Sequence, residues 1–173
     1  RKAIKERFRL SSTDAKRKVN LPLVKSGIVT SKTPEHQVKL EADIKGARNL
    51  YLVVGDGGNG YGCDWADWIE PRLIGPKGTL RLTSLKWKSA HSEFGSVQVN
   101  KNCSGGPLKV NGKAIADGIG THSNSVIHFG IPEGYERFVA HGGLDNGGTN
   151  QGDGAHTSVQ FAVYIEAPNI GGD

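Results

Sequence analysis

The sequence has no methionine and only 2 cysteines. Cys63 and Cys103 are too few for a zinc site of the usual Cys/His spacing, and neither stands in a Cys-x-x-Cys redox or haem-attachment pattern. No run approaches the ~20 apolar residues of a membrane helix, and no signal-peptide pattern opens the chain. Because the chain starts at Arg1, we expect a mature fragment or an excised domain. There is no Gly-x-Ser-x-Gly elbow to present a nucleophilic serine. "GDGGNG" lacks the Gly-Lys-Ser/Thr ending and following helix of a phosphate loop. His91, His141 and His156 form no pair at i, i+2 or i, i+4 on an expected element, which argues against a catalytic zinc.

What the sequence does have is glycine, 25 of 173 residues, with 12 aromatics spread along the chain. That composition favours an all-β domain with many turns. The net charge of +5 is unevenly placed: residues 1–48 hold 13 Lys/Arg against 5 Asp/Glu, and residues 49–173 hold 9 against 12. The body is therefore mildly acidic, which argues against nucleic acid as a partner, since a nucleic-acid binder carries its basic stripe on the fold. Residues 1–35 read as a basic leader and linker, with a possible short helix in 1–20 and a possible short strand between Pro22 and Pro34. We expect the domain to span 36–168 and a tail to occupy 169–173.

Strand signals dominate that span. "QVKLEADIKG" alternates, with Val38, Leu40, Ala42 and Ile44 on one face. "NLYLVVGD" is apolar on both faces, as in a central strand. "GTLRLTSLKW" (78–87) alternates through Leu80 and Leu82 and ends at Trp87, expected in the core. "GPLKVNGKAIADGIG" holds two short strands joined at Asn111-Gly112, a type I′ hairpin signal. "SVIHFGI", "YERFVAHGGL" and "SVQFAVYIEA" follow, the last with Val159, Phe161, Val163 and Ile165 inward. With no convincing helix after residue 48, an antiparallel β-sandwich is expected.

Three polar loops interrupt the strands: "GDGGNGYGCDWADWIEP" (55–71), "GIGTHSNS" (118–125) and "HGGLDNGGTNQGDGAHTS" (141–158). Loops on a rigid scaffold are where function concentrates. In the first, Asp56, Asp64 and Asp67 with flexible carbonyls suit a hard cation such as calcium, or else form Asx turns. Trp68 fits a core anchor; Trp65 either faces solvent or is buried. In the second, His122 with Asn124 either offers polar atoms to a ligand or braces the loop, Ser125 holding it by a side-chain-to-backbone bond. In the third, Asp145 and Asn146 either contact vicinal hydroxyls or make an Asx turn. Cys63 and Cys103, both in loops, are either one disulfide of an exported protein or two separate thiols.

The ordered blocks "LYLVVGDGGNG…CDWADWIEPRL", "LTSL", "GPLKVNGKAIADGIGTHSNSVIHFGI", "YERFVAHGGLDNGG" and "SVQFAVYIEA" resemble the NPCBM carbohydrate-binding module domain over residues 36–167. The version with "GARNLYLVV", "CDWADW" and "KNCSGGPLKV" resembles the copies embedded in large exported planctomycete and verrucomicrobial proteins. The resemblance implies a galactose-binding-like β-sandwich of jelly-roll type, non-catalytic binding of galactose-type glycans, calcium as a bound ion, and neighbouring domains in a larger chain. It further implies a bacterial protein that is secreted, periplasmic or on the cell surface. Trp65, His122, Asn124, Asp145 and Asn146 are then the expected sugar contacts, and Asp56, Asp64 and Asp67 the metal set. A structural or protein-interaction sandwich with no working sugar site is the alternative. A hydrolase using His122 with Asp145 comes last, for want of an arranged nucleophile.

Overall fold

A computed structural model describes residues 20–152 and 154–169. The expected N-terminal helix and the last four residues of the tail lie outside the described residues.

Two antiparallel sheets pack face to face. The first runs in the order β1 (Val24–Lys25), β14 (Ser158–Tyr164), β4 (Asn49–Gly55), β12 (Ser125–Gly130), β7 (Ser89–Ser92), with β2 (Val29–Thr30) also paired to β14. The second runs β3 (Gln37–Asp43), β13 (Arg137–Leu144), β5 (Trp65–Gly75), β11 (Gly118–His122), β8 (Gln98–Val99), with β6 (Gly78–Arg81) on the far half of β5. This is the antiparallel β-sandwich that the alternating segments called for. Among the described residues, helix is confined to one four-residue turn, Asn146–Thr149, and three short 3-10 turns.

The inward residues are the expected ones: Leu40, Ala42 and Ile44; Leu50, Leu52 and Val54; Val159, Phe161 and Val163 are all buried. Trp68 sits at the centre, edge-on to Phe161 (5.0 Å between centroids) and Phe138 (6.3 Å), an arrangement aromatic quadrupoles favour. Trp87 is only half-buried against the core, edge-on to Phe129 at 6.4 Å.

Four segments depart from expectation. Residues 24–30, read as a linker with a possible short strand, add two short strands to the edge of the first sheet, and Val29 is buried in the core. The sandwich therefore starts ahead of the boundary expected at residue 36. Residues 65–71, read as loop, open the longest strand, β5. Its Pro71 is tolerated because the ladder shifts register between Val139 and His141 while Glu70 adopts φ 47°, a bulge that spares proline a ladder bond. Residues 118–122, also read as loop, form β11; Gly120 is required there because a Cβ would fall 2.1 Å from the Lys101 carbonyl oxygen. The strand expected over 78–87 stops at Arg81 and gives way to a 3-10 turn, Leu82–Ser84.

The Asn111-Gly112 hairpin forms as expected between β9 (Lys109–Val110) and β10 (Lys113–Ala114), with φ of 49° and 76° at its two central residues. It lies on the outer face of the second sheet. There Val110 packs over Gly143 and Leu108 over Gly118, making a small second core.

Candidate functional site

The three polar loops meet at one end of the sandwich, where β4 and β7 finish, β12 and β5 begin, and β11 and β13 run out. Side chains stitch them together. Asn124 accepts from the Asp56 backbone N–H (3.1 Å) and donates to the carboxylates of Asp56 (3.4 Å) and Glu93 (3.2 Å). The Ser123 hydroxyl donates to Asp64 Oδ2 (2.8 Å), whose other oxygen accepts from the Ser158 N–H (3.1 Å). Asn59 receives the Ser158 hydroxyl (2.7 Å) and donates to the His156 carbonyl (3.1 Å). The loop is thus held by Ser123 and Asn124; Ser125, expected to do this, has its hydroxyl buried without a partner.

His122 closes β11 and is 3% exposed. Its Nδ1 lies 2.6 Å from the Ser123 carbonyl, which can only accept, so Nδ1 carries the proton and Nε2 is left as an acceptor. Burial lowers its pKa below the ordinary histidine value, partly offset by the Ser123 bond and Glu93, so the ring is neutral near pH 7. Two aromatic rings cover it: Tyr61, edge-on at 6.1 Å, and Phe94, tilted at 5.0 Å. Tyr61 is 54% exposed and Phe94 48%, so the end of the sandwich presents two apolar rings packed against a neutral imidazole. Neither ring was singled out from the sequence. The available signal was a large aromatic inside a turn, "GYG" and "EFG", where no alternation gives it a buried face.

The other expected sugar contacts are engaged in structure. Trp65 is half-buried, its ring against the Gly147 and Gly148 backbone: a Cβ on Gly147 would lie 2.3 Å from it. Asp145, 1% exposed, caps the short helix by accepting from Gly147 N–H (2.8 Å), and also accepts from Lys109 N–H (3.2 Å) and Asn102 (3.4 Å). Asn146 accepts from Gly112 N–H (2.9 Å) at the hairpin tip. Both residues fasten the β9–β10 hairpin to the second sheet. His122 and Asp145 do not pair: the ring bonds a carbonyl, and Ser123 gives its proton to Asp64, so no nucleophile–base–acid chain is assembled.

The three carboxylates expected to hold calcium do not converge. Asp56 caps its own turn through Gly58 N–H (2.8 Å), and Asp64 is bonded to Ser123 and Ser158. Asp67 points under the 100–110 loop, fully buried beside Asp145. Among the described residues no group of three or more His, Cys, Asp or Glu is arranged to hold a metal ion. Burial raises the Asp64 pKa to about 6 against its two hydrogen bonds, with Asp56 adding a little. Burial, then the hydrogen bond and charge of Asp145, raise Asp67 well above its ordinary value, which favours the protonated acid.

Of the two cysteines expected to pair, Cys63 has its Sγ 3.4 Å from Gln151 Oε1, and Cys103 is a buried thiol beneath Gly95, 2% exposed. Burial, helped by Asp145 and Asp67, pushes the Cys103 pKa to about 12, which keeps it an inert hydrophobe.

The sandwich topology and the loop-built end agree with one finding from comparison with known proteins: the NPCBM/NEW2 domain matches residues 15–74 and 78–170. The chain belongs to the NPCBM/NEW2 family. Its members are carbohydrate-binding modules, generally non-catalytic, on a galactose-binding-like fold. No curated protein and no solved structure matches the chain significantly. The NPCBM/NEW2 match begins ahead of β1, in keeping with the two edge strands that the sequence pattern assigned to a linker.

Proposed function

We propose that this NPCBM/NEW2 domain is a non-catalytic module that binds galactose-type glycans at the loop end of the sandwich and so holds a larger exported protein at its target. The observation that carries the reading is the pair of half-exposed rings, Tyr61 and Phe94, each packed against the neutral His122. A galactose-type ring has one face of C–H groups, which an aromatic side chain covers, and hydroxyls that a neutral imidazole and nearby carboxylates receive. Tyr61 and Phe94 supply the first chemistry. His122 Nε2, Asp56 and Glu93 supply the second. A shallow site of this kind buries little of a mono- or disaccharide, which sets affinity at about 10 µM to 1 mM.

The alternative, a structural or protein-interaction sandwich, draws on a specific observation too. Asn124, Asp145 and Asn146 already spend their polar atoms on loop bonds. Calorimetric titration with galactobiose separates the two readings. Tyr61→Ala and Phe94→Ala, whose side chains are half-exposed, should each weaken binding by roughly 0.5–1.5 kcal/mol without altering melting. Binding should also fade as pH falls through the lowered His122 pKa, because protonation removes the Nε2 acceptor. Unchanged affinity in both variants refutes the site; an absence of binding in the parent chain favours the structural reading.

A further inference from the structure

The opposite end of the first sheet, where β4 and β7 begin and β12 finishes, holds a cleft of about 570 Å³ between the turn at Gly46–Arg48 and the turn at Gly130–Tyr135. The two turns are tied by the Ile131 N–H donating to the Arg48 carbonyl at 2.9 Å. Arg48 and Lys88 line the cleft, and among the described residues no carboxylate stands within 4.0 Å of either. Both cations belong to a domain whose residues 36–168 carry 12 Lys/Arg against 13 Asp/Glu, so they are not part of a general basic surface.

Lys88 is also positioned. Its stem crosses Gly130, where an added Cβ would lie 3.0 Å from Cε, and its Nζ donates to Asn49 Oδ1 at 3.3 Å. That oxygen is fixed from the other side by His128 Nε2 at 2.8 Å, and the His128 ring is stacked on Tyr51 at 4.2 Å. One N–H of the ammonium is therefore spent and two remain. Tyr135, half-buried, supplies an aromatic wall, and Glu133, exposed at the tip of its turn, is the one acid on the lining. A cleft of this volume is on the scale of small-molecule sites, ~300–1,000 Å³.

We propose that this cleft is a second ligand site that takes an acidic sugar, its carboxylate or sulfate ester on Arg48 and Lys88 and its ring beside Tyr135. The sugar part of this assignment rests on the carbohydrate-binding reading of the family; the anion part rests on the two unpaired cations alone. The guanidinium fork matches either oxyanion bidentately, and the fixed ammonium adds a point charge.

The test is an amide NMR titration of the full 173-residue chain with digalacturonic acid, with galactose 6-sulfate and with the neutral galactobiose. Both acidic ligands, or one of them, should move the amides of residues 46–49, 130, 131 and 133–135, and the responding member names the oxyanion. Galactobiose should leave those amides in place. Arg48→Gln with Lys88→Gln should weaken the acidic ligand about tenfold or more, as loss of charge-assisted bonds requires, and Glu133→Gln should strengthen it. Galactobiose shifts around Tyr61 and His122 should survive the double substitution. If those neutral-sugar shifts never occur while acidic ligands fill the cleft, the loop-end site fails and the cleft stands. The proposal is overturned if neither acid moves the cleft amides, if galactobiose moves them equally, or if the double substitution leaves the affinity unchanged.

Discussion

Asp67→Asn should stabilise the protein, and by more as pH rises. Asp67 lies in the middle of β5 with neither oxygen accepting a hydrogen bond from a neighbour, fully buried. No cation faces it; the nearest titratable groups are the carboxyl of Asp145 and the thiol of Cys103. The fold therefore takes Asp67 as the protonated acid, donating its proton toward Asp145, whereas the unfolded chain ionises it near pH 4. A raised folded-state pKa means that folding takes up a proton. Its contribution is full below the unfolded pKa and is lost, at about 1.4 kcal/mol per pH unit, as pH climbs toward the folded value. Asparagine has the same shape, donates through its amide to Asp145, and cannot ionise. As pH rises above the unfolded-state value the variant should therefore gain on the parent, by at most about 1.4 kcal/mol per pH unit, until the folded-state value is reached. Urea unfolding of both proteins at pH 5, 6, 7 and 8 reads this directly. Parallel stability–pH curves would refute the reasoning, since they would mean that Asp67 is ionised in the folded state.

Two further outcomes follow from packing and pairing. Arg72→Met should cost about 3 kcal/mol, because it strands the buried Asp117, whose carboxyl is held below its usual pKa by Arg72 and Thr83 against the cost of burial. The loss should shrink in acid, where Asp117 takes up a proton in either state, and chemical denaturation at pH 7 and pH 3 checks it. Gly147→Ala should destabilise by at least 1 kcal/mol, since its Cβ would meet the Trp65 ring at 2.3 Å and displace the turn that Asp145 caps. Trp65 fluorescence on melting reports that change.

The strands with a clean two-residue period were readable because one face is wet: Leu40, Ala42 and Ile44 alternate with exposed Lys39, Glu41 and Asp43. The Asn111-Gly112 turn was readable because its backbone needs positive φ at both positions. β5 was not, because its polar members are buried by partners distant in sequence. Asp67 meets Asp145, and Glu70-Pro71 sits on a bulge that no local pattern announces. The two-residue edge strands at 24–25 and 29–30 are too short to carry a period at all. At the site, the three polar loops themselves were legible as candidates from their run of hydrogen-bonding residues. The roles of single residues were not. Asp145 and Asn146 find their partners at Lys109 and Gly112, more than thirty residues away. Tyr61 and Phe94 gain their place only because β11 ends at His122, against which each packs.

The central claim is that rings exposed at the loop end bind sugar, and a glycan array probed with the parent chain and with Tyr61→Ala/Phe94→Ala tests it most directly. The account predicts that the parent captures galactose-terminated glycans and that the double variant, folded to the same melting temperature, loses that capture. Equal capture by both proteins, or no capture by the parent at millimolar-sensitive density, would contradict it.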